Sequence, residues 1–479
     1  MVDFWDFSVW GMINLIGVLL LSLLAANALK RTVKFIRNSL IPTSVLAGIM
    51  LLIVSLVYKA ITGDSVFNTE FFGGNGMSKL ELITYHTLAL GFIATTFKGG
   101  KNKFTKQRTA EVFNTGVTTV STYLLQAVFG LGITIIIALF VKDFFPAAGT
   151  LLPFGYGQGT GQALNYGNIY ETDWGFVGGK SFGLTIAALG FLSASIGGVI
   201  HLNILKRKEG FSSLSETAVA LRENQIQGSN EIPMNGSLDK LTVQIALIVL
   251  AYFLTHLAMF GLGKLLPGMK SVIYGFNFLL GVLMASLIKL VMKGLNKSRV
   301  IKRQYTNDFL MDRIGNTCFD IMVVAGIAAI DLTLIEQYWW ILLILGVVGL
   351  VLTYFYNLFV AKTLFKGYQQ QQFLAMFGML TGTASTGIML LREVDPDFES
   401  PASDNLVYQN FPAIVFGFPL MLLATLAPKR PYLTLIILFA FFVVMNIILF
   451  RAQIFRRRKK AVATVEGDVA VEETNTKDC

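Results

Sequence analysis

Apolar runs of about twenty residues, separated by short polar loops, recur along most of the chain. A helix rises 1.5 Å per residue, so each run matches the roughly 30 Å hydrocarbon core of a bilayer. The pattern predicts eleven membrane-spanning helices, over 9–29, 40–58, 81–97, 112–141, 176–205, 241–262, 271–292, 312–332, 338–361, 407–427 and 432–450. Two further tracts, 151–171 and 373–391, are apolar only in part and are interrupted by glycines and small hydroxyl residues.

Those two tracts share a skeleton. The first contains Phe154-Gly155-Tyr156-Gly157-Gln158-Gly159-Thr160 and the second Phe377-Gly378-Met379-Leu380-Thr381-Gly382-Thr383. Both read Phe-Gly-x-x-polar-Gly-Thr, and each copy follows the fourth span of a five-span set. Basic residues then decide how the tracts lie. Clusters occur at Lys30, Arg31, Lys34 and Arg37; at Lys98, Lys101, Lys103, Lys106 and Arg108; at Lys206, Arg207 and Lys208; at Lys293, Lys297, Arg299, Lys302 and Arg303; and at Arg456, Arg457, Arg458, Lys459 and Lys460. All fall on the cytoplasmic side together if each glycine tract enters and leaves the membrane by one face. Lys429 and Arg430 then fall outside. The tracts are therefore expected to be re-entrant hairpins opening to opposite sides.

The expected fold is an all-α polytopic membrane protein with an inverted-topology repeat. Residues 1–205 form the first half, with a hairpin near 151–171. A cytoplasmic linker covers 206–240, with a short helix expected after Ser213-x-x-Glu216. Residues 241–427 form the second half, with a hairpin near 373–391. An extra span follows at 428–450, then a basic and finally disordered cytoplasmic tail at 451–479. The N-terminus lies outside the cell membrane and the C-terminus in the cytoplasm.

Composition supports this class. Of 479 residues, 54% are hydrophobic and 14% charged, against about a quarter charged in soluble domains. The net charge of +10 sits in clusters flanking apolar runs, which is an orientation signal and not a nucleic-acid footprint. Two cysteines, Cys318 and Cys479, give no disulfide framework.

Irregular backbone at membrane depth is tolerated only where protein buries it or where it lines a wet cavity. Broken helices expose carbonyls that can replace the hydration shell of Na⁺, and a helix start suited to a carboxylate. Two hairpins meeting from opposite faces would hold a small anionic or zwitterionic substrate and its coupling Na⁺ near the midplane. The expected substrate site comprises Gly157, Gln158, Gly159, Thr160, Gly161 and Asn165 in the first hairpin. In the second it comprises Thr381, Gly382, Thr383, Ser385 and Thr386. Gln162 adds an amide. The competing reading is that glycine runs are helix-packing surfaces and that some hydroxyls cap broken helices. Asp320 is the one acid well inside a predicted span, where a charge is costly. It is a candidate Na⁺ ligand with Thr160 and Thr383, or a proton carrier; alternatively it bonds Asn316 one turn earlier. Among the other intramembrane amides, Gln126 and Asn357 stand out because they occupy the spans leading into the two hairpins.

The chain resembles the glutamate:sodium symporter family in a series of short motifs. Gly157-Gln158-Gly159-Thr160-Gly161 is similar to the family's first-hairpin GHGTGA, with Gln158 where His is common. The stretch 377–388 is similar to its GFGLGATPTAI, with Ser385 where Pro is common. Ile41-Pro42-Thr43-Ser44-Val45 resembles its IPEPV segment, and Gly315-Asn316 its GN pair. The resemblance implies a ten-span inverted-repeat core, a homodimer, an elevator-like movement of one part, and Na⁺-coupled glutamate uptake without a cofactor. The eleventh span and basic tail depart from the family's pattern.

Two other classes were weighed. An ion channel would use Phe154-Gly155-Tyr156-Gly157 as a carbonyl filter, but filters need several copies about one axis and the second tract lacks the Tyr-Gly pair. A membrane-embedded enzyme would need catalytic groups; the chain has no HExxH and no Gly-x-Ser-x-Gly, no Lys follows GQGTGQ, and it holds three histidines in all. It is not expected to be an enzyme.

Overall fold

The computed structural model describes residues 4–98, 105–209, 231–232, 238–395 and 399–454. The segment expected to start a helix after Ser213 and the tail at 455–479 lie outside the described residues. Among those described, the chain is built from helices, with one isolated backbone bridge between Glu231 and Gln304.

The long helices are α1 (Phe7–Thr32), α2 (Thr43–Thr62), α3 (Gly76–Phe97) and α4 (Lys106–Phe140). After α4 come short helical turns, then α5 (Thr160–Trp174) and α6 (Gly179–Glu209). The second half supplies α7 (Lys240–Leu265), α8 (Asn277–Lys297), α9 (Asp308–Ala328) and α10 (Trp339–Leu364). Two shorter helices follow, α11 (Gln369–Leu380) and α12 (Ala384–Arg392). The chain ends in α13 (Ala402–Tyr408), α14 (Asn410–Leu426) and α15 (Pro431–Leu449). Local sequence sets the ends. Asp6, Thr105, Asp239 and Asn307 accept backbone N–H bonds in the first turns of α1, α4, α7 and α9, which satisfies donors the helix leaves free. Gly63 and Gly175 take left-handed conformations just past α2 and α5, the usual way to stop a helix.

Nine of the described helical stretches are long and apolar enough to cross a bilayer, and the bent pair α13–α14 makes a tenth. The one expected span left over is the eighth, α9, which is long enough but carries Asp308, Asp312, Arg313 and Asp320. It lies between α2 and α3, which both pack on it. The helices are turned outward in the manner of a membrane protein. In α10, Leu343, Val347, Val351, Phe355 and Phe359 form one exposed stripe, while Gly346, Gly349, Thr353 and Asn357 face inward. A soluble helix would bury the large apolar face and expose the polar one. This chain is a multi-pass membrane protein.

Several expected boundaries shift for physical reasons. The span at 176–205 begins at Gly179 and runs on to Glu209. The span at 271–292 is interrupted at Phe276, between a short helix Lys270–Gly275 and α8. The span at 312–332 becomes Asp308–Ala328, because Asn307 caps it early. The span at 407–427 bends by 52° between α13 and Pro412–Leu426, since Pro412 denies the helix a backbone donor.

Packing between the two halves is paired. Helix α1 lies on α2 as α7 lies on α8. Helix α2 packs on α9 while α8 packs on α3, and α4 packs on α14 while α10 packs on α6. Two further contacts join α3 to α9 and α4 to α10.

Candidate functional site

Both glycine tracts fold back on themselves. In the first, the Thr150 and Tyr170 hydroxyls are 2.5 Å apart and the Phe154 and Tyr166 rings stack with centroids 3.8 Å apart. These pairs are symmetric about residue 160, so the arms run antiparallel. The descending arm comprises the turns Pro146–Thr150 and Pro153–Gly157, and the returning arm is α5. In the second, α11 and α12 pack directly on each other across Gly378 and Gly387. A methyl group on Gly387 would lie 2.3 Å from the Ala375 carbonyl oxygen. Gly387→Ala is therefore expected to force the arms apart and destabilise the protein by about 1–3 kcal/mol, the usual range for overpacking. A thermal midpoint in detergent equal to that of the wild type would contradict the close packing.

The breaks fall on the repeated motif. Helix geometry stops at Gln158 and Gly159 in the first tract and at Thr381, Gly382 and Thr383 in the second. Gly159 and Gly382 hold the same place in the motif, and they meet. A methyl group on Gly159 would lie 3.4 Å from Thr383 Cγ2 and 3.6 Å from the Gly382 carbonyl oxygen. Gly159 has φ +80° and ψ −171°, a region open essentially to glycine alone.

Helix α4 joins the two tips. Gln126 Nε2 donates to the Leu380 carbonyl in the second hairpin (3.1 Å) and to Thr353 Oγ1 on α10 (2.8 Å). The Gln126 carbonyl oxygen faces the first hairpin, 3.3 Å from where a methyl on Gly157 would stand. The Tyr123 hydroxyl donates to the Gly157 carbonyl (3.0 Å). Further along the same helix, Thr119 Oγ1 donates to Gln409 Oε1 (2.9 Å), Thr115 Oγ1 accepts from Gln372 Nε2 (3.3 Å), and Glu111 accepts from the Tyr368 hydroxyl (2.9 Å). A polar stripe on α4 thus follows the second hairpin from its base to its tip.

The expected site residues divide into three groups. Gly157, Gly159 and Gly382 lie at the meeting of the tips, with Gln158 and Thr383 half-buried beside them. Thr160 and Gly161 face α9. Thr160 Oγ1 donates to the Met322 carbonyl (3.4 Å), and Gly161 packs against Leu88 and Met322. Thr381 and Thr386 are buried; Thr381 Oγ1 donates to the Phe377 carbonyl (2.6 Å) and Thr386 Oγ1 lies 3.4 Å from Thr383 Oγ1. Thr381 thus caps its own helix, as the competing reading has it. Asn165 and Ser385 stand apart. Asn165 donates to the Gly275 carbonyl (3.2 Å), two turns up α5, and Ser385 is exposed on the outer side of α12. Gln162 is 1% exposed, and neither atom of its amide has a protein partner.

Asp320 is not gathered with the tips. Its side chain lies beside Ser44 in the first turn of α2, where the positive end of that helix favours a carboxylate. Asn316 instead donates to Asp312 (3.4 Å). The α9 residues that meet the first hairpin, Met322 and Gly326, lie on another side of the helix. His86 is bonded to the Tyr252 hydroxyl at 2.6 Å.

Three residues near the tips lie in no motif that would have singled them out for this place: Tyr123, Ser193 and Thr353. Tyr156 sits inside the first motif, yet its hydroxyl reaches away, to the Gly346 carbonyl (2.5 Å) and Ser193 Oγ (2.9 Å). It locks the hairpin to α10 and α6. No model of a known protein family matches the chain, and no curated protein matches it.

Proposed function

We propose that the chain is a secondary active transporter, a Na⁺-coupled symporter of glutamate or a related amino acid or carboxylate. The two broken hairpins are re-entrant from opposite faces and belong to an inverted-topology repeat of five-helix halves, with α15 added. One part slides against the other in an elevator-like cycle within a homodimer, with the N-terminus outside and the C-terminus in the cytoplasm. The observation that carries this reading is the contact between Gly159 and Gly382, equivalent positions of a doubled motif, at the two helix breaks. The paired packing of the halves supports the repeat.

In this mechanism Gln158, Thr160, Gln162, Thr383 and Thr386 supply neutral donors and acceptors to the substrate. The starts of α5 and α12 favour its carboxylate. Thr160 and Thr383 offer oxygens to Na⁺. One Na⁺ moving down roughly 100 mV and a tenfold gradient supplies about 2.3 plus 1.4 kcal/mol, enough for roughly a 500-fold gradient of a neutral substrate. An anion such as glutamate needs a second ion for the electrical contribution to remain favourable.

Reconstituted into liposomes with an inward Na⁺ gradient, the protein is expected to take up labelled glutamate saturably, and to stop when choline replaces Na⁺. Equal uptake in choline refutes the coupling. Large unitary currents would indicate a channel, and a chemically altered ligand an enzyme.

A further inference from the structure

At the crossing of α4 and α10, beneath the hairpin tips, two side-chain amides are locked by the same few groups. Gln126 Nε2 donates to Thr353 Oγ1 and to the Leu380 carbonyl. Asn357 Nδ2 donates to the Thr353 carbonyl (2.9 Å) and to Thr122 Oγ1 (3.4 Å). Thr122 and Gln126 are one turn apart on α4, as Thr353 and Asn357 are on α10, so the four side chains interlock across adjacent turns.

These bonds fix which way each amide points. A backbone carbonyl only accepts, so the atom facing Leu380 must be the nitrogen of Gln126, and the atom facing the Thr353 carbonyl must be the nitrogen of Asn357. Rotating either amide would set two oxygens against each other. The carbonyl oxygens Gln126 Oε1 and Asn357 Oδ1 are therefore committed to the remaining space. Both residues are buried, at 0% and 2% exposure, and no protein donor reaches either oxygen. A buried acceptor left unmatched costs about 1–3 kcal/mol. The two acceptors belong to side chains that interlock across α4 and α10, each held by its own nitrogen and each without a protein donor.

We infer that this crossing binds a dehydrated alkali cation, with Gln126 Oε1 and Asn357 Oδ1 among its ligands. The chemistry of the donors selects the class. Neutral carbonyl and hydroxyl oxygens replace the hydration shell of a monovalent ion, whereas divalent calcium is held chiefly with carboxylates. Among the described residues no three His, Cys, Asp or Glu gather to hold a metal ion. The place also gives the ion leverage. Gln126 bonds the tip of the second hairpin while its oxygen faces Gly157 in the first, so an ion on that oxygen stiffens the amide that joins both tips. The ion's role in coupling rests on the transport reading; its place rests on the two amides.

The test uses the purified full chain, titrated with NaCl against choline chloride at constant ionic strength and followed by its thermal midpoint. The wild type is expected to be stabilised saturably by Na⁺. Gln126→Met and Asn357→Leu, which keep shape but remove the oxygens, should raise the half-effect concentration at least tenfold. Asn357→Asp, which keeps that oxygen, adds a charge and sets its second oxygen against the Thr353 carbonyl, should start less stable in choline and lower the half-effect concentration. Absence of a cation-specific shift in the wild type overturns the site, as does an unchanged half-effect concentration in Gln126→Met and Asn357→Leu. If those two variants do not fold, Asn357→Asp decides alone: no tightening overturns the inference. Uptake in liposomes separates the two readings. Na⁺ binding that follows the predicted shifts without any Na⁺-driven uptake removes the transport reading and keeps the site. Na⁺-driven uptake with half-effect concentrations unmoved by the variants keeps transport and removes the site.

Discussion

Gly159→Ala is expected to reduce uptake by about a hundredfold or more, the scale of loss that a 1 Å misplacement of a binding group produces, while leaving most of the protein folded. The cause is the backbone and not crowding. A methyl group at this position meets Thr383 and Gly382 only at 3.4 and 3.6 Å, which is ordinary contact. But φ +80° with ψ −171° is a conformation that alanine reaches only at a cost of about 1–3 kcal/mol. The chain can relieve that strain by rotating the peptides on either side, and those peptides belong to Gln158 and Thr160. Relief therefore moves the tip of the first hairpin away from that of the second. Gly175→Ala is the control. Gly175 also has positive φ (+70°), ends α5, and has open space where a methyl would go. It is strained in the same sense but lies far along the helix from the tips. Both variants should lose comparable thermal stability, and only Gly159→Ala should lose transport. Equal uptake by the two would show that the meeting of the tips does not matter to function.

The control also shows what was legible in the sequence. The positions of both helix breaks can be read directly, because a glycine flanked by hydroxyl and amide residues inside an apolar tract has few other uses. The repeated Phe-Gly-x-x-polar-Gly-Thr skeleton locates the breaks to within a residue or two, and the spans follow from hydropathy alone. What the sequence does not carry is partnership across the fold. Gln126 reads as one polar residue in an apolar span; only folding brings it to Leu380, more than two hundred residues later. Asp320 invites a local partner four residues back, yet Asn316 donates to Asp312 instead and the Asp320 side chain lies beside Ser44 at the start of α2. The break at Phe276 has no glycine or proline at that residue to announce it, and arises where Asn277 turns to bond the Tyr85 carbonyl (3.0 Å). Local rules thus place the irregular backbone, and tertiary contacts decide which polar groups stand beside it.

The second large effect lies at the far end of the linker, where sequence reasoning expects solvated polar chain up to residue 240. Glu231 and Lys240 are instead buried, with side chains 4% and 0% exposed and a 2.8 Å ion pair between them. Asn307 Nδ2 donates to the same Glu231 oxygen (2.6 Å), and the Ile232 N–H donates to the Gln304 carbonyl (3.1 Å). Gln244 closes the network, accepting from the Asn307 N–H (3.0 Å) and donating to the Tyr305 carbonyl (2.8 Å). The linker is thereby fastened to the start of α7 and to the loop before α9. Lys240→Met is expected to destabilise the protein by about 3–5 kcal/mol, because it removes the ammonium 2.8 Å from a buried carboxylate and puts an apolar side chain in its place. Most of that cost lies in the desolvation of the Glu231 charge and not in the lost attraction. Lys240→Met combined with Glu231→Leu should therefore recover much of the stability, short of full recovery because the Glu231 oxygen to which Asn307 Nδ2 donates is then gone. The measurement is the thermal midpoint of each variant in the same detergent. A single variant as stable as the wild type would mean the pair is not buried as described. A double variant less stable than Lys240→Met would mean that the Glu231 carboxylate is satisfied by its other partners without Lys240, and that the desolvation argument fails here.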